Sequence, residues 1–252
     1  MQTSADNGAE GCVNPWPQAS IIVREHVSST MDEALALARS GCPTGTVVVS
    51  GFQEKGRGRV PGRTWLSAPW ESLLATVAIR RGDIGFPLPQ LPLRAGVAAA
   101  LAVESCAALP VQIKWPNDLL HAGRKLAGVL CETRGDYALV GVGVNCGQAE
   151  FPPELAGSAC SLLQACGRAV PVFTLLEAVL AALKATLSDE RWREHLLRRL
   201  HGRGGVVVVD LLGSGISVEG LLQEVDDAGQ LVLRRVDGQV LRVAQGEIRT
   251  GR

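Results

Sequence analysis

Five residues, His201-Gly202-Arg203-Gly204-Gly205, separate two kinds of sequence in this chain. Before them, segments with helical and strand periodicity alternate. After them every apolar segment reads as a strand: VVVVDLL from Val206, ISVEGLLQEV from Ile216, GQLVLRRV from Gly229 and QVLRVAQGEI from Gln239. Residues 226–229 and Asp237-Gly238 supply hairpin turns. A glycine-rich break between a mixed and an all-strand region predicts an α+β unit followed by a small β-barrel-like unit. The predicted division is a polar leader over residues 1–20, a main domain over 21–202 and a C-terminal domain over 203–252. The length of 252 residues is ample for a buried core.

Within the main domain, residues 21–23 read as a short strand. Thr30 followed by Glu33 has the spacing of a capping box, so a helix is predicted from there to Gly41, with Pro43 beyond. Residues 46–53 and 72–79 read as strands, and residues 54–63 as a Gly/Arg loop. Residues 93–109 are apolar on most faces and read as a buried helix. A strand over 111–115 stops at Pro116. Residues 118–132 read as a hairpin turning near Ala122-Gly123, and residues 137–146 as another strand. Helices are predicted over 173–187 and 191–201, the second strongly basic and most simply a solvated face.

Lys plus Arg and Asp plus Glu number 25 each, so the net charge is zero. That excludes a chain devoted to coating nucleic acid or an anionic membrane. One Tyr and four Phe offer no stacking platform for single strands. The seven Cys include no C-x-x-C pair, and the four His are scattered, so no zinc cage is predicted. Reduced, buried thiols fit a cytoplasmic protein. Residues 1–20 lack the basic start and apolar stretch of a signal peptide, and no apolar run is long enough to span a bilayer.

Two stretches carry chemistry. Residues 53–65 place Lys55, Arg57, Arg59 and Arg63 among Gly56, Gly58 and Gly62. Glycine lets backbone N–H groups approach an anion, and arginine binds phosphate or carboxylate bidentately. Such a loop repels itself when empty, so it is expected to order around an anion. Taken alone it reads equally as an anion clamp, a solvated basic loop or a nucleic-acid patch. It is neither a Walker A loop nor, with a strand following, a dinucleotide fingerprint. The second stretch is Lys114-Trp115-Pro116-Asn117-Asp118, continuing through Arg124-Lys125 to Gly128. Three of only four lysines, Lys55, Lys114 and Lys125, fall in these two stretches, which points to compact point charges. Alone, Asn117 and Asp118 read more simply as turn caps and Lys125 as a surface residue.

Together the pieces resemble the catalytic domain of biotin protein ligases. They are Ser29-Thr30, Gln53-x-x-Gly56-Arg57-Gly58-Arg59, Gly62-Arg63-x-Trp65, Lys114 to Asp118, Arg124-Lys125-x-x-Gly128, Gly141-x-Gly143-Val144-Asn145 and Gly246-Glu247-Ile248, spread over residues 20–249. The resemblance implies a mixed β-sheet flanked by helices, with a C-terminal SH3-like barrel. It implies two reactions: biotin's carboxylate attacks the α-phosphate of ATP, and a carrier-domain lysine then attacks the biotinoyl-adenylate. ATP with Mg²⁺, biotin, and a biotin carboxyl carrier domain of a carboxylase such as acetyl-CoA carboxylase are the implied co-substrates, metal and partner. Both monomers and homodimers occur in the family.

Residue roles follow from the resemblance. Ser29, Thr30 and Gln53 face the ureido end of biotin, joined in that pocket by Met31, Arg57, Gly58, Arg59 and Gly128. Lys125 and Arg59 are the catalytic cations, Lys125 lying between the two mutually repelling anions. Arg63, Lys114, Trp65, Asn117 and Asn145 belong to the nucleotide, Trp65 by stacking on adenine or else as a core residue. Lys114 reads as phosphate-facing or structural, and Asp118 as a Mg²⁺ ligand or a turn cap. Met31 stands where many members have Asn or Gln, and Val60-Pro61 lengthens and stiffens the loop. In the tail after Ile248, the family's final Arg contact has no assigned counterpart. Some members carry a helix-turn-helix; residues 1–20 are too short for one, so no operator binding is predicted. A lipoate or octanoate transferase is the rival enzyme, and a nucleic-acid-binding protein the rival class.

Overall fold

The computed structural model describes residues 11–60 and 62–249. Seven strands form the main sheet: β1 (Ile21–Val27), β2 (Thr46–Gln53), β3 (Ser72–Arg80), β4 (Gln112–Lys114), β5 (Asp118–His121), β6 (Arg124–Arg134) and β7 (Tyr137–Asn145). Their order is β1-β2-β3-β7-β6-β5-β4. Only β1 and β2 run parallel; every other pair is antiparallel, so the sheet is mixed.

Both faces of the sheet are covered, which is why β2 and β3 are buried almost throughout. Helix α1 (Thr30–Arg39) lies on one face with Met31, Ala34 and Ala38 buried at helical spacing against Val48, Ala78 and Leu139. Helices α2 (Leu91–Ala107) and α4 (Val172–Ser188) lie on the other, and between them in the chain is a short α3 (Leu162–Cys166) that the sequence reading missed. Helix α2 opens with Pro92 in its first turn and ends where Ala108 turns left-handed at φ 54°. Its one buried charge, Arg94, stacks 4.0 Å from the Phe86 ring and donates to Thr186 O at 2.6 Å and Asp189 O at 3.0 Å. A cation at those carbonyls suits the C-terminal end of α4.

The C-terminal strands β8 (Val206–Leu211), β9 (Ser217–Val225), β10 (Leu231–Arg234), β11 (Val240–Val243) and β12 (Gly246–Ile248) form a second, antiparallel sheet, consistent with an SH3-like domain. The last predicted strand is two strands, because the chain turns at Ala244 and Gln245. Helix α5 (Trp192–Arg199) is more than a solvated basic face. Arg193 bonds Glu224 and the Val225 carbonyl, each at 2.6 Å, and Arg199 pairs with Glu104 of α2, so α5 braces the two sheets together. Trp115, buried at 2% exposure, donates its indole N–H to Gly229 O at 3.0 Å and forms the joint from the main sheet.

Several expectations need correction. The residue capping α1 is Ser29, not Thr30: its backbone is extended and its hydroxyl accepts from Met31 N, while Thr30 is already helical. Part of the expected leader is anchored. Asn14 donates to Gly45 O, and Trp16 packs against the core. Its first ten residues lie outside the described residues, as do Pro61 and the tail from Thr250. All seven thiols are free, but only Cys146 and Cys160 are fully buried. Among the described residues no helix is long and apolar enough to cross a membrane.

Candidate functional site

A cleft of about 720 Å³ opens over one face of β2, β3, β6 and β7, between the start of α1, the Gly/Arg loop and the edge of the second sheet. Every residue singled out above for biotin, nucleotide or metal lines it. Three surroundings succeed one another along its length.

At the first end the groups are polar and uncharged. Ser29 and Thr30 start α1, Gln53 ends β2, and Thr76 lies in mid-β3. Gln53 Oε1 accepts from Thr30 N at 2.8 Å and from Thr30 Oγ1 at 3.0 Å, and Thr30 Oγ1 lies 2.8 Å from Thr76 Oγ1. Met31 fills the floor here. A Cβ on Gly141 would stand 3.2 Å from its sulfur, so glycine is what lets the thioether settle onto β7.

In the middle lies Trp65. Gly128 of β6 and Gly143 of β7 are direct partners across the ladder, leaving a patch of bare backbone. The indole rests on it: a Cβ on Gly143 would be 3.1 Å from the ring, and one on Gly128 3.3 Å. Trp65 is therefore a cleft residue, not a core one. Its Nε1 is buried without a hydrogen-bond partner among the described residues.

At the far end are the cations. Lys125 Nζ lies 2.8 Å from Asp118 Oδ1 and 5.9 Å from the centre of the Trp65 ring. The ion pair lacks hydrogen-bond alignment, so the buried Oδ1 has no hydrogen-bond donor among the described residues. Asp118 opens β5 and pairs with Lys114 and Gly128 across the ladders, so it caps no turn. Lys114 is nearly buried and reaches Glu247 of β12 at 3.5 Å. Both oxygens of Glu247 lie 3.0 Å from Arg63 Nη1. Burial alone would push the Glu247 carboxyl up, but the Arg63 hydrogen bond and the Lys114 and Arg63 charges hold it below the usual carboxylate range.

The Gly/Arg loop does not face its own charge unaided, as its composition suggested. Arg57 forms a bidentate pair with Asp32 of α1 at 2.9 and 3.1 Å, and the hydrogen bond raises its pKa further. Arg59 donates to Gly246 O at 2.9 Å. Burial lowers the Arg59 pKa, and its Nε has no hydrogen-bond partner among the described residues. Arg57 is thus held by α1, and Arg59 and Arg63 by β12.

The two asparagines spend their amide N–H groups on backbone. Asn117 donates to Val129 O at 3.0 Å, and Asn145 to Cys160 O at 3.0 Å and Lys125 O at 3.4 Å. Asn145 thereby fixes the strand position from which Lys125 projects. Sequence reasoning overlooked Asp32, Thr76 and the Trp65 seat on Gly143, and quoted Glu247 without giving it a place in the site. Each acts through a partner at least 25 residues away, so no local spacing announces it.

The sequence profile of the biotin/lipoate A/B protein ligase family matches residues 23–148. A biotin–[acetyl-CoA-carboxylase] ligase of Mycobacterium tuberculosis is 32% identical over 252 residues, covering 94% of this chain and 91% of that protein. A biotin protein ligase from Aquifex aeolicus, in complex with biotin and ATP, superposes with a TM-score of 0.81 at 28% identity, over 91% of this chain and 97% of that one. A biotin protein ligase from Leishmania major, in complex with biotinyl-5-AMP, gives 0.64 at 25% identity, over 89% and 98%.

Proposed function

The chain belongs to the biotin/lipoate A/B protein ligase family, and we propose that its cleft is where biotin is adenylated and then handed to a carrier lysine. It is an ATP-dependent biotin protein ligase, with biotin and ATP as substrates and the carrier domain of a carboxylase as acceptor. The observation that carries the site assignment is the sequence of surroundings along the cleft: neutral hydrogen-bonding groups, then an indole on bare backbone, then the cations Arg59, Arg63, Lys114 and Lys125. Biotin has a neutral ureido ring and an anionic tail, and the nucleotide has a flat base and polyanionic phosphates.

In this reading Ser29, Thr30 and Gln53 bind the ureido ring, and Met31 and Gly128 line the space beside it. Lys125 stands between the biotin carboxylate and the α-phosphate. A carboxylate oxygen forms a bond to phosphorus while the bond to the β-phosphate oxygen breaks and pyrophosphate departs. Lys125 and Arg59 stabilise charge on the transferring group. Arg63 and Lys114 neutralise the leaving phosphates, and doing so displaces Glu247. Arg57, Gly58 and Arg59 close over the adenylate, Trp65 stacks on adenine, and Asn117 and Asn145 offer it their amide oxygens. In the second step the acceptor amine bonds to the acyl carbon, the carbon–oxygen bond to phosphate breaks, and AMP leaves. The protein contributes position and charge rather than a nucleophile. The main domain, residues 21–202, and the C-terminal domain, residues 203–252, act together through Glu247 and Gly246.

The buried Asp118 Oδ1, ion-paired with Lys125 but without a hydrogen-bond donor among the described residues, would hold a Mg²⁺ ion through one carboxylate, with substrate phosphates as its other ligands; among the described residues no cluster of three metal-ligating side chains exists. Such an ion would supply further charge neutralisation on the phosphates.

The test is exchange of labelled pyrophosphate into ATP, with and without biotin. Biotin-dependent exchange is expected. Exchange with lipoate or octanoate but not biotin would keep the fold and overturn the substrate; no exchange with any of them would overturn the activity.

A further inference from the structure

We propose that Thr76 is a positioning residue that holds the Thr30 hydroxyl in one orientation and so fixes the lone pair it offers the ureido ring, an inference resting on the assignment of that end to biotin. It follows from counting protons. Thr30 N–H can only donate, so the Gln53 side-chain atom 2.8 Å from it must be the amide oxygen. The same oxygen lies 3.0 Å from Thr30 Oγ1, and two acceptors at that separation would repel, so the Thr30 hydroxyl donates to it. That uses the only proton the hydroxyl has. The 2.8 Å contact between Thr30 Oγ1 and Thr76 Oγ1 must then be made by the Thr76 proton.

The result is a one-way relay: Thr76 donates to Thr30, and Thr30 donates to Gln53. With its oxygen twice satisfied, Gln53 turns Nε2 away from Thr30, and both of its protons remain for the ligand. The cleft therefore shows a fixed donor to a carbonyl oxygen, as in a cyclic urea. Thr30 Oγ1 keeps a lone pair for a ring N–H. Thr76 is fully buried in a sheet core, yet it lines the cleft and its side chain has no other hydrogen-bond partner among the described residues. A threonine in so apolar a strand costs desolvation unless its hydroxyl is used, which here happens only toward Thr30. The Thr76 contact, by holding the Thr30 hydroxyl in one orientation, acts on biotin binding and leaves the nucleotide end, beyond Trp65, untouched.

The experiment compares Thr76→Val, nearly isosteric, with Thr76→Ser by biotin-dependent pyrophosphate exchange. Thr76→Val is expected to raise the KM for biotin roughly three- to tenfold, the effect of one buried hydrogen bond. The KM for ATP and kcat should stay within about twofold, and Thr76→Ser should restore the KM for biotin. A merely structural threonine would move the melting temperature without this split. A second measurement uses the wild-type protein and needs no variant to fold. The cyclic guanidine analogue of biotin, protonated at neutral pH, presents N–H donors where the ureido oxygen stands and is expected to be activated far less well. Unchanged KM for biotin in Thr76→Val, an equal rise for ATP, or equal use of the guanidine analogue would each overturn the proposal. Wild-type protein without biotin-dependent exchange would overturn the biotin reading itself, and the proposal with it.

Discussion

Glu247 reaches from the last strand of the second sheet to place both carboxylate oxygens 3.0 Å from Arg63 Nη1, in the loop after β2. The contact joins residues 184 positions apart and, on the proposed reading of the cleft, puts an anion where the nucleotide phosphates would go. On that reading it ties substrate binding to the seating of one sheet on the other.

Glu247 also gives the fold a pH dependence. Its carboxyl is held below the usual range by Arg63 and Lys114 against the opposing effect of burial. A depressed folded pKa means that its stabilisation is fully present above the unfolded carboxylate value, about 4.3, and is lost as pH falls through the folded value. Glu247→Gln is expected to cost about 1 kcal/mol at pH 7, in the range of a partly exposed ion pair. The gap from wild type should shrink below about pH 4. Urea unfolding of both proteins across that range checks it, and a gap that widens on acidification would contradict the sign.

Lys125→Ala should slow adenylate formation by roughly 10²–10³-fold, the effect of removing one fixed charge from the transferring group. The side chain is 40% exposed, so the fold should survive. Single-turnover formation of the adenylate, with circular dichroism as the folding control, is the measurement. A near-normal rate would remove the assigned role.

Arg59 holds the loop to the second sheet through Gly246 O. Arg59→Gly should loosen the cover on the adenylate and release it. Biotin should then appear on lysines of unrelated proteins in the mixture, detectable by streptavidin blotting. Tighter retention than wild type would refute a clamp.

Gly143→Ala would set a Cβ 3.1 Å from the Trp65 ring and lift the indole from its seat. If Trp65 stacks on adenine, the KM for ATP should rise roughly tenfold, in keeping with the 1–3 kcal/mol of a base–aromatic stack. The KM for biotin should change little. Steady-state kinetics with each substrate varied in turn distinguishes the two.

Much of this site was legible before any coordinates. The Gly/Arg loop, the Lys114 to Asp118 stretch and Lys125 are each ambiguous alone, but their order and separation along the chain point to one site, because glycine, proline and closely spaced charges restrict what a few consecutive residues can do. What misled was chemistry judged by neighbours in sequence. Asp118, beside Asn117 after a proline, looks like a turn cap until β4, β5 and β6 pair and set it against Lys125. The loop arginines look self-repelling until Asp32 and Glu247 arrive from other elements. Met31, read as a lost polar contact, turns out to rest on Gly141 of β7 while Thr76 brings a hydroxyl from β3.

By itself the sequence determined the order of elements, the break before Val206, the cationic and uncharged stretches, and the family they compose. Periodicity, turn residues and local charge are properties of consecutive residues and survive without a fold. Tertiary structure alone decided which atoms face one another: the Gln53 amide turned by Thr30, the Thr30 hydroxyl held by Thr76, the indole on paired glycines, and Glu247 between Arg63 and Lys114. Those relations depend on strand register and on how the second sheet packs against the first. A single residue of slip in either would send the same side chains to the opposite face.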